Sequence, residues 1–168
     1  MNNSNYVEIL KYAMNMEQKA SEFYKMYLDK VQENSNKEIF KELADMEDDH
    51  YNILNEQCQK LENNGSFDQV DVSKLKGGED IFKINERDIK SMDFNKAVDD
   101  LPILRMAYAM ESDFAKFYDE AAKKAEDPNA KKLLETLASW EIAHRDSFDA
   151  EIKLATENSW FSNSFSPF

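Results

Sequence analysis

The chain has 168 residues with only three Gly and three Pro, too few breakers for a loop-rich or all-β protein and too short for more than one ordinary domain. Hydrophobic residues make up 42% and aromatics 12%, enough apolar material for a core, which excludes wholesale disorder. The net charge, 21 − 34 = −13, argues against nucleic-acid phosphates or an anionic membrane as partner and favours cations.

The opening residues Met1–Asn5 show neither a basic n-region nor an apolar h-region, and no window reaches the length of a membrane span. The single cysteine, Cys58, allows no internal disulfide and no four-thiolate metal site. A reduced, buried thiol in a cytoplasmic protein is the expectation. Ile9, Ala13, Met16, Ala20, Phe23, Tyr27 and Val31 recur at helical spacing and predict a first helix over roughly 5–32. After Glu33–Asn36, the series Ile39, Phe40, Leu43, Met46, His50, Ile53, Leu54 and Leu61 predicts a second helix to about residue 62, stopped by Asn63-Asn64-Gly65. The short connection folds the pair into an antiparallel hairpin.

From about 65 to 100 the pattern weakens, and Ile81, Phe82, Ile84, Ile89, Met92, Phe94 and Val98 mark a long crossover with one or two short helical turns. Asp99 or Asp100 before Leu101-Pro102 suits a helix start, with Pro in the first turn where its missing donor does no harm. Leu104, Ala107, Met110, Phe114, Phe117, Tyr118 and Ala121 then predict a third helix to about 126. Leu133, Leu134, Leu137, Trp140, Phe148 and Ile152 predict a fourth to about 156. The fold class is all-α: a four-helix bundle over 1–157, made of two antiparallel hairpins in up-down, crossover, up-down order. Residues 158–168 form an aromatic tail that docks on the bundle or on a partner.

The two hairpins match at an offset of 94: Glu17 falls on Glu111, Phe23-Tyr24 on Phe117-Tyr118, Leu43-Ala44 on Leu137-Ala138, Glu47 on Glu141 and His50 on His144. The chain's only two histidines each follow a glutamate by three residues. With 18 Glu in 168 positions, chance gives that about once in a hundred. At i and i+3 two side chains share one helix face, so Glu47 with His50, and Glu141 with His144, point at a common centre. The midpoint of 17 and 47 is 32 and that of 111 and 141 is 126, each at its hairpin turn, which sets Glu17 level with Glu47 and Glu111 level with Glu141. Four carboxylates and two imidazoles in a core need a counter-charge, because desolvated like charges cost several kcal/mol each. Two divalent cations bring +4 against −4, and the six residues Glu17, Glu47, His50, Glu111, Glu141 and His144 are the candidate ligands. Tyr24 and Tyr118 lie two turns beyond Glu17 and Glu111, where their hydroxyls either hydrogen-bond site carboxylates or find some other core partner.

Glu17 with Phe23-Tyr24, Leu43-Ala44 with Glu47-Asp48-Asp49-His50, Glu111 with Phe117-Tyr118, and Leu137-Ala138 with Glu141-Ile142-Ala143-His144 resemble the rubrerythrin-like branch of the ferritin-like superfamily across nearly the whole chain. The resemblance implies a ferritin-like fold, two iron ions in a di-iron centre with Mn or Zn as possible substitutes, and O2 or H2O2 as the small-molecule substrate. It implies a ferroxidase or peroxide reductase serving oxidative-stress defence, or, as the alternative, non-catalytic metal storage or sensing. A structural or interaction module is a third reading. Where rubrerythrins carry a rubredoxin module with paired Cys-x-x-Cys, this chain has only Cys58, so a separate protein would donate electrons. Where they carry an extra Glu three residues after the third-helix ligand, this chain has Phe114, which weakens the expectation of peroxidase cycling. Asp48 stands where a bacterioferritin has its haem Met, so no haem is implied. Apolar residues of the crossover and tail lead us to expect a homodimer.

Overall fold

The computed structural model describes residues 3–70 and 91–163, and among them all regular structure is helical. Helix α1 spans Asn3–Tyr27, α2 Asn34–Asn64, α3 Phe94–Lys124 and α4 Pro128–Asn163. Each hairpin is closed by local chemistry. Glu33 caps α2 by accepting from Ser35 N–H, and Gly65, at φ 72°, ends it in the left-handed conformation that a side chain would resist. Asp127 caps α4 by accepting from Asn129 and Ala130 N–H, and Pro128 occupies the first helical position, where no donor is needed.

Three boundaries differ from the sequence reading. Helix α1 stops at Tyr27, and Val31 is buried in the connection rather than in the helix. Helix α3 begins at Phe94, capped by the Asp93 carboxylate accepting from Asn95 and Lys96, so Pro102 lies inside the helix rather than in its first turn. Asp99 and Asp100 therefore do not start α3. Helix α4 runs on to Asn163, past the 157/158 boundary, because no Gly or Pro occurs between Pro128 and Pro167 to stop it. The expected short turns around Ile81, Phe82, Ile84 and Ile89, and the last residues of the tail, fall outside the described residues. The crossover's first residues are tied down: Phe67 is buried edge-on against Tyr6, and Asp68 N–H donates to Gln57.

The buried apolar residues form two clusters. One gathers Tyr6, Leu10 and Ala13 of α1 with Leu54, Cys58 and Leu61 of α2, Tyr118 and Ala121 of α3 and Leu133, Leu134 and Leu137 of α4. The other gathers Ala20 and Tyr24 with Phe40 and Leu43, Leu104 and Ala107, and Phe148. Along every helix, positions 17, 47/50, 111 and 141/144 fall between the two clusters, at the waist of the bundle. Helix α3 starts in the cluster where α1 ends, so α1 and α3 are antiparallel while α2 and α3 run the same way. The order is up, down, down, up, and a parallel pair needs the long crossover to travel the length of the bundle.

The 94-residue offset survives in the connections. Asp100 accepts from Gln32 N–H (2.7 Å), Glu33 N–H (3.0 Å) and the Asn36 amide (2.9 Å), and it is buried. Its mate Tyr6 accepts, through its hydroxyl, from Glu126 N–H (2.8 Å) and Asp127 N–H (3.0 Å). Each hairpin turn is held by the first turns of a helix from the other hairpin. That fixes the depth at which the two halves meet.

Candidate metal centre

Burial of the six residues follows from their place on the stripes: Glu17, Glu47, Glu111, Glu141 and His144 are 0% exposed and His50 1%. His50 Nδ1 lies 3.1 Å from Glu47, 3.3 Å from Glu141 and 3.6 Å from Glu17. His144 Nδ1 lies 3.3 Å from Glu47, 3.3 Å from Glu141 and 3.6 Å from Glu111. The side chains fall into two groups, Glu17–Glu47–His50–Glu141 and Glu47–Glu111–Glu141–His144, each with one ligand-type atom per residue and all within 4.8 Å of one another. Glu47 and Glu141 belong to both. All six residues singled out by spacing are thus brought together.

The tyrosines take part, crosswise. Tyr118 donates its hydroxyl to Glu17 and Tyr24 donates to Glu111, so each half's phenol holds the other half's carboxylate. Burial, together with the Glu111 charge beside Tyr24 and the Glu17 charge beside Tyr118, pushes both phenols well above their usual range, keeping them donors.

Without cations the cluster must be neutralised by protons. Burial, reinforced by the charges of Glu141 and Glu47, raises the carboxyls of Glu17 and Glu111 well above the ordinary range. Burial opposes charge on the imidazoles too, but Glu47, Glu141 and Glu17 around His50, and Glu111, Glu141 and Glu47 around His144, outweigh it and raise both rings. Glu47 and Glu141 also feel burial, yet the two imidazoles hold them low. Even so, Glu17 Oε2, Glu47 Oε1, Glu111 Oε2 and both oxygens of Glu141 accept no hydrogen bond from the described residues. Buried carboxylate oxygens facing one another without donors fit cations, and this set of imidazole and carboxylate ligands suits Fe, Mn or Zn.

A family model for rubrerythrin matches residues 8–152, which include all six cluster residues and both tyrosines. The chain belongs to the rubrerythrin family. No curated protein and no solved structure matches it. In this rubrerythrin domain Phe114 is partly buried and packs against the cluster around Tyr24 and Phe40. No described helix is long and apolar enough to cross a membrane. Cys58 is buried, and burial raises its thiol, which leaves it a core residue with little thiolate.

Two contacts around the centre escaped the sequence reading. Trp140 stacks on His50 with ring centroids 5.0 Å apart, and its signal was present: four residues before His144, it shares that face of α4. Asp48, on what reads as a solvated acidic face with the exposed Glu38, Glu42, Asp45 and Asp49, accepts from Ser21 at 2.6 Å and Lys25 at 2.7 Å, fastening α1 to α2 beside Glu47.

Proposed function

We propose that this rubrerythrin-family chain is a di-iron oxidoreductase in which Glu17, Glu47, His50, Glu111, Glu141 and His144 hold two iron ions and O2 or H2O2 is the oxidant. The observation that carries the reading is the sharing of Glu47 and Glu141 by two otherwise separate groups, because a shared carboxylate holds two cations close together. Mn or Zn would fit the same donors; family membership favours iron. When bound, a di-ferrous pair supplies the two electrons that, with two protons, reduce H2O2 to two waters.

The chain's own part is positional. Glu47 and Glu141 set the spacing; Glu17 with His50, and Glu111 with His144, complete one side each. Tyr118 and Tyr24 restrain the terminal carboxylates and keep their protons, so they act as fixed donors rather than bases. The apolar clusters above and below exclude bulk water from the waist.

Nearly symmetric ligands favour oxidation of a di-ferrous pair, whereas apolar Phe114 supplies no seventh carboxylate to follow an iron as its charge rises. Ferroxidase-like turnover with weak peroxidase cycling is the activity we assign, with electrons from a separate donor. Stopped-flow oxidation of the Fe(II)-loaded protein tests it. The native chain should oxidise Fe(II) with O2 or H2O2, and Phe114→Glu should cycle peroxide faster with an added reductant. Rapid multi-turnover peroxide reduction by the native chain, with no gain in the variant, would refute this assignment.

A further inference from the structure

The six ligand positions obey the 94-residue offset, but their surroundings do not. Trp140, 6% exposed, lies face to face with His50 at 5.0 Å between centroids and 15° between planes. His144 is also nearly parallel to His50, at 5.7 Å and 7°. Helix α4 therefore sets two flat rings, one turn apart, nearly parallel to the imidazole of α2. By the offset, the residue matching Trp140 is Met46 (140 − 94), a buried thioether whose rotatable bonds restrain a neighbour less than a rigid indole.

We propose that Trp140 is a positioning residue that makes the two halves of the centre inequivalent, so that the half containing His50 takes the first divalent cation and the half containing His144 the second. This rests on the metal-binding reading above and adds an order to it. A ring already held in its binding orientation loses less freedom when a cation arrives. Groups that orient a metal-ligating histidine typically change affinity by about 10-fold to 100-fold. The expected separation of the two affinities is about 10-fold or more.

The chain's two histidines are its only ones, so imidazole 15N NMR reads each half directly during a Zn(II) titration of the metal-free protein. The His50 ring should shift over the first equivalent and the His144 ring over the second. Trp140→Phe, which keeps a flat ring, should preserve that order. Trp140→Met, which places at 140 the residue type found at the matching position 46, should merge the two steps. Both rings shifting together in the native protein, His144 shifting first, or an order unchanged in Trp140→Met would each overturn the proposal. The native order needs no variant, so a misfolded substitution does not remove the test. If neither ring responds, metal binding itself fails and the order falls with it; two rings responding together would leave the site standing and remove only the order.

Discussion

Glu47 and Glu141 each face both imidazoles, while Glu17 and Glu111 each face one. Unequal consequences follow from four chemically identical residues. Glu47→Ala or Glu141→Ala should remove a ligand from both groups and abolish dinuclear binding, whereas Glu17→Ala or Glu111→Ala should leave one position able to bind. Metal analysis after equilibration with Fe(II) under anaerobic conditions separates these outcomes, and two retained ions in either of the first pair would exclude that residue from the centre. The tyrosines give a matched pair. Tyr118→Phe and Tyr24→Phe each strip a buried carboxylate oxygen of its donor, which should cost about 1–3 kcal/mol in the metal-free protein. Urea unfolding should show two losses of similar size, and a neutral result for both would mean that the phenols add nothing to the carboxylates' placement. The six ligands were legible because i, i+3 spacing and the hairpin midpoints are properties of one hairpin at a time. The destination of each tyrosine was not, since Tyr24 bonds Glu111 and Tyr118 bonds Glu17, and that crossing depends on how the hairpins dock.

At the scale of elements, Asp100 and Tyr6 show how a duplicated architecture preserves a task while changing the chemistry. Both sit in the opening turns of a helix and both take two backbone N–H groups from the opposite hairpin's connection. Asp100→Ala would orphan those two donors and the Asn36 amide in a buried place, so a loss of about 3 kcal/mol or more is expected. Asp100→Asn keeps one acceptor and should lose less. Chemical denaturation of both variants checks the ranking; equal stability of Asp100→Ala and the native chain would show that the connection does not depend on this contact. The same residue explains why the start of α3 was misplaced. An aspartate pair before Pro102 has the sequence form of a cap, but a buried acceptor for another segment leaves the same trace, and only the tertiary contact tells them apart. Helix periodicity fixed the hairpins; it carries no information on direction across a long crossover, which is why α3 was expected to run opposite to α2. The spacing of Trp140 put it on the face of His144, but its stacking on His50 of α2 depends on how the hairpins dock.

For the whole molecule, the two clusters and the waist between them set opposite requirements: the clusters stabilise the bundle by burial, while the waist gathers groups that burial opposes. In the metal-free protein the raised carboxyls of Glu17 and Glu111 favour folding below their ordinary value of 4.5 and cease to as pH rises through their folded values. The raised imidazoles contribute fully below 6.5 and lose that contribution as pH rises through their folded values, while the lowered Glu47 and Glu141 contribute above 4.5 and lose it toward acid. The cluster therefore weakens the metal-free fold progressively above pH 4.5, more steeply above 6.5. Dications bound at the waist would replace the departing protons, so the gap in melting temperature between metal-loaded and chelated protein should widen as pH rises. A gap that narrows with pH would contradict proton–metal competition. The central claim, that this waist is built for two cations, meets its most direct test in metal stoichiometry. After anaerobic dialysis of the metal-free protein against Fe(II) and removal of the free ion, the account predicts two iron ions per chain in the native protein and none held tightly in the Glu47→Ala, Glu141→Ala double variant. Equal iron content in the two proteins would contradict it.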